Sequence, residues 1–181
     1  MRKHGPWTIE HSREIYRDPW LSLRLDSVTR PDGQPGTYST VQLKSGVCVI
    51  AIDDQRRVHL TQEFHYAVGR LTLEGVSGGI EPEESAEQAA RRELSEELGL
   101  SARRWTHLGQ IDPFTAAIHS TVDMYLAEEL SWGRSAPDGT EEIELVSAPL
   151  EEALDWVREG KISHAPTCVA LLRIALDGLL P

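Results

Sequence analysis

The stretch from Gly78 to Leu100 reads GGIEPEESAEQAARRELSEELGL, and its interior decides how the chain must be built. From Ser85 to Leu98 there is neither glycine nor proline, and Ala86, Ala90, Leu94 and Leu98 recur at i, i+4 steps with Ala89 beside them, which predicts an amphipathic helix. Ser85 precedes Gln88 by three positions and follows two glutamates, a pattern suited to a helix N-terminus, and Gly99 is the stop signal. On that helix Glu93, Glu96 and Glu97 fall at i, i+3 and i+4, so three carboxylates share one face. Like charges at this spacing cost about a few tenths of a kcal/mol per pair, whereas hard divalent cations take oxygen ligands of this kind. A solvated acidic face is the plain alternative, and the surrounding residues decide between the two.

Away from the helix the chain is rich in strand signals. Gly46 to Asp53 (GVCVIAID) is a continuous apolar run of buried-strand length, Asp54-Gln55 is a turn, and Val58 to Phe64 returns, which predicts a core hairpin. Between Trp7 and Leu43, short β-branched and aromatic runs are broken by Asp18-Pro19 and by Pro31-Asp32-Gly33 through Gly36, giving two or three strands of an N-terminal antiparallel sheet. Arg103 to Ile111, Thr121 to Glu128 and Ile143 to Ser147 read as further strands. Leu150 to Glu159, closed by Gly160, and Thr167 to Leu179 read as helices. Strands on both sides of one central helix indicate an α+β sandwich rather than a regular βαβ alternation.

The chain has 181 residues, no internal repeat and no long linker, so one compact domain is expected. With 18 Lys+Arg against 29 Asp+Glu, the formal net charge is -11. Such a balance offers no footprint for nucleic acid or an anionic membrane, and an anionic ligand would need cations to mediate. Cys48 and Cys168 lie in apolar surroundings as core packing. No secretory leader or membrane-length apolar run is legible, and a cytoplasmic, reducing setting is expected.

The central stretch resembles the Nudix box, G-x5-E-x7-R-E-U-x-E-E-x-G-U with U aliphatic, through Gly78, Glu84, Arg92, Glu93, Leu94, Glu96, Glu97, Gly99 and Leu100. By average residue usage such agreement arises by chance on the order of once in 10^8 to 10^9 windows. The resemblance to Nudix hydrolases implies an α/β/α sandwich with a mixed sheet, and Mg²⁺ or Mn²⁺ as cofactor. It makes Glu93 and Glu97 the principal metal ligands, Glu96 a further one, and Ser77 a ligand through its backbone carbonyl. Glu96, Glu97 and Arg92 are also implied in catalysis, with Arg92 bracing the box carboxylates by pairing with Glu84. Gly78 and Gly99 supply backbone freedom in the loops.

Val58 to Gly78 (VHLTQEFHYAVGRLTLEGVSG) is similar to the ADP-ribose and nucleoside diphosphate sugar pyrophosphatase branch, as are Pro113, Glu141-Glu142-Ile143 and Gly160-Lys161-Ile162. That branch implies Mg²⁺-dependent hydrolysis of ADP-ribose to AMP and ribose 5-phosphate, with Arg70, Glu74, His65, Gln62 and Pro113 as substrate contacts. Gln62 and His65 stand where the branch carries arginines, and Val76-Ser77-Gly78 where it carries Pro-Ala-Gly. These departures keep open a broader nucleotide-sugar hydrolase acting on GDP-mannose or ADP-glucose, and a non-catalytic ADP-ribose sensor. The implied general base lies on a loop before a late strand, which points to Glu141, then to Glu142 or Glu144, with Trp132 to Glu142 as the lid. His119 is a further candidate near that site. The branch also implies a homodimer, in which residues 1–45 serve dimerisation, 46–181 form the hydrolase domain, and Trp7, Tyr16, Trp20 or Tyr38 are available to stack a base.

Overall fold

A computed structural model describes residues 1–135 and 142–179 of the chain. They form two compact units, one of Met1–Ser45 with Asp112–Thr121, the other of Gly46–Ile111 with Val122–Pro181.

In the first unit, β1 (Arg2–His4), β2 (Trp7–Arg17), β3 (Leu21–Thr29) and β4 (Pro35–Leu43) form an antiparallel meander. A two-residue strand, β10 (Ile118–His119), adds in parallel to β4, so the segment after the box region completes this sheet rather than the larger one. Asp18 caps the β2–β3 turn by accepting from the amides of Trp20 and Leu21. Trp7 meets Tyr38 edge-on at 5.5 Å, while Tyr16 and Trp20 are exposed.

In the second unit, β5 (Gly46–Ile52) and β11 (Val122–Trp132) run parallel at the centre of a mixed sheet ordered β12-β6-β5-β11-β9, with β6 (Arg57–His65), β9 (Leu100–Ile111) and β12 (Glu144–Pro149) antiparallel to their neighbours. The expected β5–β6 hairpin is paired only at Ala51–His59 and Ile52–Val58. Beyond those pairs the strands part, because β7 (Arg70–Glu74) pairs with β6 and β8 (Val76–Gly79) pairs with β5. The sequence reading missed β7 and β8 because they are only five and four residues long, and β8 ends in two glycines, a weak strand signal.

Both faces of this sheet are covered, which explains why β5 reads as unbroken apolar sequence. Val47, Val49 and Ala51 pack with Ala89, Ala90, Leu94 and Leu98 of helix α1 (Ala86–Leu98). The alternate residues Cys48, Ile50 and Ile52 pack with Leu150 and Ala153 of α2 (Leu150–Arg158) and with Ala170, Leu171 and Ile174 of α3 (Ala165–Leu176). The architecture is therefore the expected α/β/α sandwich. Burial pushes the Cys48 thiol up to about 11, which keeps it protonated and inert. No helix among the described residues is long and apolar enough to cross a membrane.

Leu94 is fully buried at the centre of the α1 contact. Leu94→Ala is expected to lower unfolding stability by about 2–5 kcal/mol, read as a fall in the urea midpoint at unchanged m-value.

Candidate active site

The loop before α1 is folded by its own acidic residues. The Glu84 carboxylate accepts from the Glu81 amide at 3.0 Å, and Glu83 takes a left-handed φ of 67° to make the bend. Ser85 then caps the helix reciprocally: its hydroxyl accepts from the Gln88 amide at 3.2 Å, and the Gln88 side chain accepts from the Ser85 amide at 2.8 Å. At the other end Gly99 adopts φ 63°, and a Cβ there would stand 2.6 Å from the Ser135 amide nitrogen. The Gly99 carbonyl accepts from the Gly133 amide at 2.6 Å, so the helix end is tied to the segment after β11.

Arg92 organises the acidic face. Its Nε and Nη2 donate to the two Glu84 oxygens at 3.0 and 3.1 Å, and Nη2 also reaches the Gly79 carbonyl at 2.9 Å. Nη1 donates to Glu93 at 2.7 Å and to Glu96 at 3.0 Å. All five donors of the guanidinium fork are thus used. Hydrogen bonds to charged groups are worth about 1.5–3 kcal/mol each before solvent screening, which outweighs repulsion of about a few tenths per like-charged pair. The hydrogen bond from Arg92 holds the Glu84 carboxyl below its ordinary value, and the same acidic partners raise the guanidinium further above its own.

Gly78 lies beneath this face. A Cβ built on it would fall onto the Glu93 carboxylate, so only glycine lets Glu93 lie against β8. Gly78 pairs with Val47 and Ser77 with Cys48 across β5 and β8, which fixes Ser77 one residue from the Glu93 seat. Three carboxylates and a backbone carbonyl are hard oxygen donors of the kind a divalent cation takes. Among the described residues no three acidic, imidazole or thiol groups gather into a closed cage.

The expected substrate residues are distributed unevenly. Gln62 and His65 lie on β6, Arg70 and Glu74 on β7, with His65 paired to Arg70 in register. Arg70 donates to Ser163 Oγ at 2.9 Å. The Glu74 carboxylate is engaged within the chain: Thr72 donates to Oε1 at 2.6 Å, His65 Nε2 stands 3.2 Å from the same oxygen, and His164 Nδ1 lies 3.1 Å from Oε2. Burial pushes the His164 imidazole down. Glu144 opens β12 opposite Gln62, and Glu142 precedes it. Glu141 lies outside the described residues. Pro113 and His119 belong to the segment that joins the first unit.

His164 and Thr167, which contact the Glu74 and Gly75 region, were not singled out from sequence, and the expected helix began only at Thr167. Pro166 was the available signal, since proline favours the first turn of a helix.

Comparison with known proteins adds the following. A family model for the NUDIX domain matches residues 42–168, and one for the nucleoside diphosphate sugar hydrolase N-terminal domain matches residues 7–41. An ADP-ribose pyrophosphatase from Bacillus subtilis (strain 168) is 27% identical over 169 residues, covering 92% of this chain and 91% of that one. A methanol dehydrogenase activator from Bacillus methanolicus is 25% identical over 171 residues, covering 93% and 92% respectively. The crystal structure of an ADP compounds hydrolase superposes with a TM-score of 0.84 at 22% identity, covering 99% of this chain and 98% of that one.

The Glu84–Arg92 pair makes a pH-dependent contribution to stability. Because the folded carboxyl lies below its ordinary value of 4.5, the stabilisation is full above that value and is lost as pH falls through the folded one. Glu84→Gln is therefore expected to be less stable than wild type at neutral pH, with the gap narrowing below about pH 4 in urea titrations. A gap of constant size down to strongly acidic pH contradicts the ion-pair account.

Proposed function

The chain belongs to the Nudix family of hydrolases, and from that premise we propose that it hydrolyses the pyrophosphate bond of a nucleoside diphosphate sugar, with ADP-ribose giving AMP and ribose 5-phosphate. The observation that carries this reading is the intact acidic face of α1, braced by Arg92 and seated on the side-chain-free backbone of Gly78. A pure binder has no need to maintain three like charges on one turn of helix, which disfavours a non-catalytic sensor.

In this reading Glu93, Glu97 and the Ser77 carbonyl hold the ion, with Glu96 beside them. A bound Mg²⁺ or Mn²⁺ supplies charge neutralisation for the diphosphate and Lewis acidity toward its phosphorus. Arg92 holds Glu93 and Glu96 in fixed orientation before substrate arrives. Arg70 is the cation assigned to substrate phosphate. Glu141 is assigned as the general base that takes the proton of the attacking water. Gln62 and Glu144, side by side on β6 and β12, border the same end of the sheet.

A broader nucleotide-sugar hydrolase is favoured by one specific feature. Glu74 is already engaged by Thr72, His65 and His164, and no arginine stands at Gln62 or His65, so the pocket has fewer fixed groups with which to select one nucleotide. Self-association through the N-terminal sheet is supported by the exposed Ile15, Tyr16 and Trp20.

The reading is tested by monophosphate release with Mg²⁺ from ADP-ribose, ADP-glucose, GDP-mannose and UDP-glucose. Turnover of ADP-ribose well above the others is expected, with Glu97→Gln lowering kcat at least about 100-fold. Similar turnover of several sugar nucleotides would establish the broader hydrolase, and ligand binding without hydrolysis would establish the sensor.

A further inference from the structure

We infer that Thr167, at the start of α3, is a positioning residue for metal binding, acting through Gly75 on the carbonyl of Ser77; this rests on the proposed function above.

Gly75 joins β7 to β8 and is fixed on both sides. Its amide donates to Thr167 Oγ1 at 2.8 Å, and its carbonyl accepts from Ser77 Oγ at 2.8 Å. Gly75 is also pressed onto β5, since a Cβ there would stand 2.8 Å from both Ile50 Cδ1 and the Val49 carbonyl oxygen. Thr167 has 0% exposure, and its hydroxyl lies 2.8 Å from His164 Nδ1 and 3.7 Å from Cys48 Sγ. A continuous chain of contacts therefore runs from the first turn of α3, on one face of the sheet, to Gly75 and Ser77. The next residue, Gly78, is the seat of Glu93, which belongs to α1 on the opposite face. The two sides of the sandwich are joined at the point where the Ser77 carbonyl must be aimed.

A hydroxyl placed there merely to satisfy a buried amide would affect folding and nothing else. A positioning residue would also affect metal affinity, because groups that orient ligands typically change affinity about 10–100-fold when removed. The chemistry of the hydroxyl is separable from its volume: Thr167→Val keeps the shape and loses the hydrogen bond, and Thr167→Ser keeps the hydrogen bond.

The test is Mn²⁺ binding to full-length protein without substrate, followed by the electron paramagnetic resonance of free Mn²⁺, with a thermal melt of each variant. Thr167→Val is expected to weaken Mn²⁺ binding at least about tenfold, with Thr167→Ser close to wild type. Ser77→Ala keeps the carbonyl but loses the tie to Gly75, so it is expected to weaken Mn²⁺ in the same sense, and it serves alone if Thr167→Val does not fold. Wild-type affinity in the folded variants overturns the inference, even if their melting temperatures fall. Wild-type protein that takes up no Mn²⁺ overturns the proposed function, and the inference with it.

Discussion

The five hydrogen bonds of the Arg92 guanidinium are the constraint on which the rest of the site depends. They join the loop carboxylate of Glu84, the strand carbonyl of Gly79 and the helix carboxylates of Glu93 and Glu96. Without a cation at that point, the acidic face of α1 would repel itself and the loop carboxylate of Glu84 would lose its two-point partner. A planar fork can meet so many acceptors in fixed directions, whereas a lysine ammonium has three donors and no such plane. The protein thus holds negative charge in place ahead of any ligand, using one of its own cations as the organiser.

The sheet makes this local arrangement rigid. Residues of β5 alternate between the α1 core and the α2–α3 core, so β5 cannot shift without disturbing both. β8 is registered on β5 residue by residue, which places Ser77 and Gly78 with the precision of a central strand rather than of a loop. The segment proposed to hold the ion therefore rests on a buried central strand.

Much of this was legible in the sequence, for physical reasons that differ by element. The helix from Ala86 to Leu98 was readable because its apolar spacing, cap and stop residue all agree. The pairing of Arg92 with Glu84 was implied by the family resemblance and is present as a two-point contact. The insertion of β7 and β8 between β5 and β6 was not legible, because strands of five and four residues carry little periodicity and the partner of β8 lies about thirty residues upstream. The engagement of Glu74 by His65 and His164 was hidden for a related reason: His164 comes from a helix start ninety residues along the chain from Glu74. Glu141, expected from the resemblance as the general base, lies outside the described residues.

The central claim is that the α1 face and the Ser77 carbonyl form one metal-binding site on which a diphosphate is hydrolysed. The most direct test is a crystal structure with Mn²⁺ and a non-hydrolysable methylene analogue of ADP-ribose, with the ion located by anomalous scattering. The account predicts an anomalous peak within coordination distance of Glu93, Glu97 and the Ser77 carbonyl, with the analogue's phosphonate oxygens completing the shell. A well-occupied ion elsewhere, with the analogue bound away from α1, would contradict it.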